Sequence, residues 1–256
     1  MVKLTKLSRP FVVAVAVERT AAAAARAVAA SFRDGADAVE LNLSSLPETE
    51  QPTSAFFRKH RGPIYTSCRR AAFMGVYGDR LARLPAWSDE TRMDLQLAAL
   101  GHGAAGLDIE ADTFAPSPDE WTRDRRAIRR QRAVAAAARR RGAAVIFSWH
   151  PPRALTFAEA LRAARALEAR GADFIKIVER VRNEREALDA VAISLRLREK
   201  LATPFIFLPL GPGAARFRPF MSAFGAAYLL ARPPVGANRL PAQPLVAKAR
   251  ALVDLA

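Results

Sequence analysis

Eight short apolar runs, each followed by a longer amphipathic segment, are the feature that most constrains how this chain can fold. Strands that alternate with helices predict parallel βαβ units, and strands that are apolar throughout are typical of sheets buried on both faces. The runs cover residues 11–17, 37–43, 63–67, 104–110, 143–149, 173–178, 204–210 and 226–231. The helical segments between them cover 20–34, 52–60, 88–101, 118–141, 155–170, 183–200, 214–223 and 242–254.

Eight such units in 256 residues are the size of a (β/α)₈ TIM barrel. We therefore predict an α/β chain that folds as a single barrel domain over residues 1–256. A doubly wound parallel sheet is the alternative. That fold commonly carries a glycine-rich phosphate loop after its first strand, whereas here the strand runs straight into Glu18-Arg19-Thr20.

The composition excludes several other classes of protein. A single cysteine, Cys68, excludes an internal disulfide framework and a cysteine-rich zinc site. No stretch of about 18 apolar residues occurs, so we expect no transmembrane helix. The opening segment, in which FVVAVAV follows Pro10, favours a buried strand over a signal peptide, and we expect a cytoplasmic protein.

The formal net charge of +15 comes mostly from arginine, which is densest between Arg123 and Arg141. On a helix these arginines cover an arc of about 200°, while Ala127, Val134 and Ala138 fall in the remaining arc. The pattern predicts a solvated helix face above a buried stripe. A nucleic-acid or acidic-partner surface is the alternative, although the aromatic residues of a base-stacking platform are missing. We expect no specific nucleic-acid partner.

Polar residues stand at the carboxyl ends of the predicted strands, where a barrel builds its active site. These residues lie near the ends of strands two to eight or in the connections that follow them. We take them as the candidate functional residues. They are Glu40, Asn42, Arg69, Arg70, Asp108, Glu110, His150, Lys176, Arg216, Arg218, Arg239 and Gln243.

Lys176 and His150 are the strongest candidates for catalysis. Lys176 lies inside the apolar run DFIKIV, where desolvation would lower its pKa toward a neutral, nucleophilic amine. An ion-paired or snorkelling lysine is the alternative. His150 ends VIFSWH and could act as a general base, or could be a structural histidine. No His/Asp/Glu cluster has metal-ligand spacing, so we expect no metal.

Several segments carry a resemblance to a known family, in its order and approximate spacing. They read GADAVELNL, PIYTSCR, AAGLDIE, VIFSWH, GADFIKI and PFIFLPLGPGAARFRPFMSAFGAAYLL, with a later LPAQ. The most specific pieces are the Ser-x-His that ends strand five, the lysine of GADFIKI, and the arginine of RPFMSAFG with the later Pro-x-Gln. Together they resemble type I 3-dehydroquinate dehydratase over nearly the whole chain.

The resemblance implies a lyase of the shikimate or quinate pathway that uses no metal or cofactor. Its substrate would be 3-dehydroquinate, a cyclic hydroxy-keto carboxylate, and its product 3-dehydroshikimate; a homodimer is left open. Lys176 would form an imine with the substrate ketone, and His150 would remove the adjacent carbon proton and help water to leave. The resemblance assigns substrate binding to Glu40, Arg69, Arg218 and Gln243, and we add Arg239.

Four positions depart from the family pattern. Asn42 replaces the arginine of the second strand, and Phe73 replaces a glutamate that polarises the histidine. Pro151 replaces an acidic residue after the histidine, and Arg239 replaces a serine. Without its carboxylate partner, His150 should be less basic and less well oriented.

Three hypotheses therefore remain besides nucleic-acid binding. The chain is a working dehydratase, or it keeps the lysine and histidine chemistry on another substrate, or it is a catalytically weakened binding or regulatory module. The changed positions Asn42 and Arg239 motivate the second hypothesis, and Phe73 motivates the third.

Overall fold

The computed structural model describes residues 3–77 and 87–255, and it confirms the predicted barrel. The strands pair in parallel in the order β7-β6-β5-β4-β3-β2-β1-β8. The backbone N–H of Ala227, just before β8, donates to the carbonyl of Phe205 in β7 at 2.7 Å and links the two ends of the sheet. The strands are β1 Phe11–Ala16, β2 Ala38–Asn42, β3 Ile64–Ser67, β4 Gly106–Glu110, β5 Ala144–Trp149, β6 Phe174–Arg180, β7 Phe205–Leu210 and β8 Tyr228–Ala231.

Helices follow the strands, and several begin at the capping residues that the sequence supplies. Thr20, Ser88, Asp124 and Asn183 each accept a hydrogen bond from a backbone N–H of the first turn, and Thr156 forms a capping box. The helices are α1 Ala21–Arg33, α2 Ser54–Arg58, α3 Ala71–Met74, α4 Asp89–His102, α5 Arg125–Arg140, α6 Phe157–Arg170, α7 Glu184–Arg198, α8 Ala214–Phe217 and α9 Val246–Asp254. Among the helices in the described part of the chain, none is both long and apolar enough to cross a membrane.

The predicted helix over 118–141 begins too early. Asp124 caps α5 at residue 125, because its carboxylate accepts the N–H of Ala127 at 2.7 Å. Residues 111–124 instead form a loop that leaves the carboxyl end of β4. The predicted helix over 214–223 is also too long, since α8 gives way to a 3₁₀ turn at Arg218.

The prediction of a solvated face on the arginine-rich helix is confirmed. Its arginines from Arg123 to Arg141 are exposed, whereas Ala127, Ala135 and Ala138 are buried against the barrel. Arg130 pairs with the exposed Glu90 at 2.8 Å. The positive charges of this region are therefore exposed to solvent.

Aromatic rings fill the amino-terminal half of the barrel interior. Phe11 stacks on Tyr228 with ring centroids 5.2 Å apart, and Phe174 meets both rings edge-on at 6.0 Å. All three are almost fully buried. Because this end is packed, polar groups inside the barrel lie toward the carboxyl ends of the strands.

Candidate active site

A lysine held by two carboxylates lies in the middle of the barrel. Lys176 Nζ donates to Glu40 Oε2 at 3.0 Å and to Asp108 Oδ2 at 3.0 Å. The three residues come from β6, β2 and β4, and side chains from alternate strands form one layer of a barrel interior. We call Glu40, Asp108 and Lys176 the strand cluster.

The strand cluster corrects the expectation that Lys176 is a neutral amine. Burial alone would lower the pKa of Lys176, but the charges of Asp108 and Glu40 outweigh it and raise the pKa well above its ordinary value. The lysine is therefore an ammonium at neutral pH. Its attack on a carbonyl requires that a neighbouring group first accept a proton.

The two carboxylates of the strand cluster differ in their surroundings. Tyr65 donates its hydroxyl to Glu40 at 2.8 Å, and Ser148 donates to Asp108 at 2.5 Å. For Glu40, burial is outweighed by the Lys176 charge, so its pKa is lowered. For Asp108, burial prevails over Lys176, with help from the charge of Glu40, and its pKa is raised. Asp108 is therefore the better proton acceptor.

His150 lies directly after β5 and is paired with an arginine. Arg69 Nη1 lies 2.6 Å from His150 Nδ1. A guanidinium can only donate, so Nδ1 accepts and the neutral ring carries its proton on Nε2. Burial and the nearby charges of Arg69, Lys176 and Arg218 hold the pKa of His150 well below its usual value. This direction agrees with the predicted less basic histidine, and its causes are burial and the three nearby cations.

Phe73 packs on both partners of this pair. Its ring meets the His150 ring edge-on, with centroids 4.9 Å apart, and the Arg69 guanidinium lies 3.8 Å from its centroid. Glu120, from the loop before α5, approaches from another side, with Oε2 3.3 Å from Arg69 Nη2 and 3.6 Å from His150 Nδ1. We call Arg69, Phe73, Glu120 and His150 the loop cluster.

A buried ion-pair network fixes Arg69. Its Nη1 also lies 2.7 Å from Glu110 Oε1 at the end of β4. Glu110 in turn pairs with Arg92 of α4. Burial of Glu110 is outweighed by Arg69, Arg92 and a neighbouring arginine, which lower its pKa to about 2. The Arg69 charge is therefore largely neutralised before any substrate arrives.

Arg218 differs from Arg69 in having a free charge. It is buried, and Nη1 donates to the carbonyl of Pro209 at 3.2 Å. No carboxylate in the described residues pairs with it, and burial lowers its pKa to about 10. Gly211 (φ +137°) helps to turn the chain after β7, where a Cβ would lie 2.2 Å from the carbonyl of Val181. The buried guanidinium of Arg218, which pairs with no carboxylate in the described residues, is suited to an anionic ligand.

The remaining candidates occupy different surroundings. Gln243 is buried and its Oε1 accepts from Asn238 at 2.8 Å, while Asn238 also donates to the Val15 carbonyl of β1. Asn42 is buried and donates to Ser67 at 3.4 Å, and its Oδ1 has no hydrogen-bond partner among the described residues. The side chain of Arg239 is exposed, and its backbone N–H donates to Tyr77. The substrate contacts proposed for Gln243 and Arg239 stay predictions.

In the sequence, Asp108 is among the polar candidates at the strand ends, but it has no assigned catalytic or binding role. The alternation Asp108-x-Glu110 was the available signal, because it matches Glu40-x-Asn42 on β2 and places both acids on the interior face. Glu120 was missed because its segment was predicted to be helical. In the described residues, no group of three or more His, Cys, Asp or Glu side chains is arranged to hold a metal ion.

A family model for type I 3-dehydroquinase matches residues 11–256. The chain belongs to this family. Members of the family are hydro-lyases, which agrees with the activity that the sequence motifs implied. No curated protein sequence gives a match.

Solved structures with the same fold include three 3-dehydroquinate dehydratases. The enzyme from Geobacillus kaustophilus HTA426 is 18% identical with a TM-score of 0.78, covering 99% of this chain and 95% of its own. The type I enzyme from Clostridium difficile is 15% identical, with a TM-score of 0.77 and coverage of 98% and 93%. The enzyme from Enterococcus faecalis is 18% identical, with a TM-score of 0.71 and coverage of 90% and 93%. At these identities the likeness establishes the fold.

Proposed function

We propose that this chain dehydrates 3-dehydroquinate to 3-dehydroshikimate through an imine on Lys176. The observation that carries the proposal is the strand cluster, in which the lysine is fixed 3.0 Å from each of two buried carboxylates. Membership of the type I 3-dehydroquinase family supports the reaction and the substrate.

The strand cluster can manage the proton that imine formation requires. Lys176 passes a proton to Asp108, whose raised pKa makes it a better acceptor than Glu40. The neutral amine adds to the ketone carbon, and loss of water leaves a protonated imine. That iminium carries the positive charge where the ammonium was, between the two carboxylates, so the site is already arranged to stabilise it.

The iminium acidifies the adjacent C–H bond. His150 takes this proton and the electron pair moves toward the iminium. The neighbouring carbon then expels its hydroxyl, which leaves as water with the proton that His150 returns. Hydrolysis of the imine releases the product and restores Lys176. Arg218 binds the substrate carboxylate, because its buried charge has no carboxylate partner in the described part of the chain.

A second candidate is a weakened family member that binds the ligand without rapid turnover. The observation that favours it is the Arg69–His150 hydrogen bond, since a ring protonated on Nε2 has no lone pair there to accept a proton. A change of substrate is favoured instead by Asn42, whose buried amide oxygen lacks a partner in residues 3–77 and 87–255.

The test is a continuous ultraviolet assay for the conjugated enone of 3-dehydroshikimate. The wild-type protein should form it from 3-dehydroquinate, and Lys176→Ala should abolish it. Lys200→Ala, an exposed lysine at the end of α7, is the matched control and should retain wild-type turnover. A wild-type protein that binds 3-dehydroquinate without forming the enone would favour the binding module.

A further inference from the structure

Glu120 lies beside His150 and has a strained backbone conformation, which costs free energy in the folded protein. Its φ of +50° is in the left-handed region, which is uncommon for a residue other than glycine. Its side chain is 28% exposed and, with Phe73, Pro118 and His150, lines a small cavity at the carboxyl end of the barrel. Backbone strain of this kind is concentrated at functional sites.

The Arg69–His150 hydrogen bond poses a problem for the proposed reaction. With Nδ1 accepting from Arg69, the proton of the neutral ring is on Nε2, so Nε2 cannot act as a base. A working base needs the other tautomer, with the proton on Nδ1. That tautomer requires an acceptor close to Nδ1, and Phe73 offers none.

We propose that Glu120 is the positioning residue for His150 and accepts its Nδ1–H in the working enzyme. The proposal rests on the function proposed above. Glu120 Oε2 is 3.6 Å from Nδ1, so a shift of about 0.7 Å brings it within hydrogen-bond distance. Arg69 stays bound to Glu110 at 2.7 Å, while substrate oxygens compete for the N–H that it now donates to His150.

The proton balance of this change is simple. The ring releases the Nε2 proton to solvent and gains one from solvent on Nδ1, so its charge does not change. Nε2 then takes the proton from the substrate carbon, and Glu120 stabilises the imidazolium that results. The imidazolium gives this proton to the departing hydroxyl, which leaves as water.

The charges that face His150 show why a carboxylate is needed there. Arg69, Lys176 and Arg218 all disfavour the imidazolium. Glu110 forms ion pairs with Arg69 and Arg92, and Glu40 forms an ion pair with Lys176. Glu120 is the carboxylate beside Nδ1 that can offset the cationic surroundings.

The experiment compares Glu120→Gln and Glu120→Ala with Asp119→Asn, an exposed carboxylate one residue earlier in the same loop. For each variant, kcat and KM for 3-dehydroquinate are measured across pH. We expect kcat to fall on the order of 10²-fold in Glu120→Ala with little change in KM. The acidic limb of the profile should move to lower pH in both Glu120 variants, because loss of the negative charge lowers the pKa of His150. Asp119→Asn should match the wild type.

A rescue variant separates positioning from support of the loop. Phe73→Glu in the Glu120→Ala background returns a carboxylate to His150 from α3 and should recover much of kcat and move the acidic limb back up. Loss of rate in both Glu120 variants with an unmoved pH profile and no rescue would overturn the proposal. So would wild-type kinetics in Glu120→Ala.

Histidine ¹⁵N NMR tests the pairing without turnover and so separates it from the proposed function. The chain has three histidines, and His150→Gln assigns the signal. In the borohydride-reduced Lys176 adduct, or with bound 3-dehydroquinate if no adduct forms, we expect His150 to be protonated on Nδ1. In Glu120→Ala it should keep its proton on Nε2. The same tautomer in both proteins would overturn the proposal even if the wild type is an active dehydratase.

Discussion

The strand cluster and the loop cluster lie in the same barrel, yet they are built in different ways. Glu40, Asp108 and Lys176 project from strands whose register fixes them, and each contacts its partner at 3.0 Å. The loop cluster comes from the connections after β3 and β4. Arg69 contacts His150 through a short hydrogen bond, Phe73 contacts it through its ring, and Glu120 lies farther away at 3.6 Å.

This difference indicates which half of the site is free to vary. In the proposed reaction the strand cluster performs the covalent step, and its spacing is set by backbone pairing that a substitution cannot easily change. In the same proposal the loop cluster controls the protonation of His150, and connecting segments tolerate change. The proposed exchange, in which Glu120 from the loop after β4 takes the place of a glutamate that the resemblance implies at position 73, is of the kind that this half of the site permits.

The largest effect in the loop cluster should follow His150→Ala. We expect turnover to fall by about 10²- to 10⁴-fold, the contribution typical of a general acid–base, while the imine on Lys176 still forms. The enone assay and borohydride trapping measure the two steps separately. His102→Ala, which changes an exposed histidine at the end of α4, is the control. A near-normal rate in His150→Ala would show that another group is the base.

The ionisation of Glu179 tests how β6 holds the loop that follows His150. It accepts the N–H of Leu155 at 2.7 Å, and burial raises its pKa to about 8 from 4.5. The folded protein keeps this proton where the unfolded chain has lost it, so stability falls as pH rises from about 4.5 to 8. Glu179→Gln removes this ionisation. Its free energy of unfolding, relative to that of the wild type, should therefore rise by up to about 4 kcal/mol between pH 5 and pH 9.

Urea unfolding of wild type and variant at both pH values measures this difference in the free energy of unfolding. Glu199→Gln, an exposed carboxylate at the end of α7, should leave the pH dependence of stability unchanged. Parallel pH dependences for wild type and Glu179→Gln would mean that Glu179 ionises normally in the folded protein.

Arg218→Ala should weaken substrate binding more than it slows the chemical step. Loss of a charge-assisted hydrogen bond to the substrate carboxylate predicts a KM increase of about 10- to 100-fold. Arg216→Ala is the matched control, because Arg216 lies two residues earlier, is exposed and pairs with Glu184 at 2.7 Å. An unchanged KM in Arg218→Ala would move carboxylate binding to another residue, such as Arg69.

The smallest effects are expected on the arginine-rich face of α5. Arg129→Ala removes an exposed side chain and should change the free energy of unfolding by less than about 0.5 kcal/mol. Nucleic-acid binding at physiological salt should be weak and salt-sensitive in the wild type. Tight, salt-resistant binding to one sequence would contradict the solvated-face interpretation.

The sequence predicted the barrel and named all three members of the strand cluster as candidates, assigning a role to Glu40 and Lys176, because apolar periodicity and strand ends are local features. It could not predict the charge state of Lys176, which depends on two carboxylates 68 and 136 residues away. It also placed Glu120 in the helix predicted over 118–141, whereas α5 begins only after the cap at Asp124. The Arg69–His150 contact joins residues 81 apart and left no signal in the sequence.

Borohydride trapping with 3-dehydroquinate, followed by peptide mass mapping, tests the central claim that the strand cluster is the reacting centre. We expect the mass of the reduced ligand on the peptide that contains Lys176, in the wild type and in Glu120→Ala alike, because the covalent step does not depend on the loop cluster. An adduct on a different lysine, or no adduct while the enone still forms, would contradict the account.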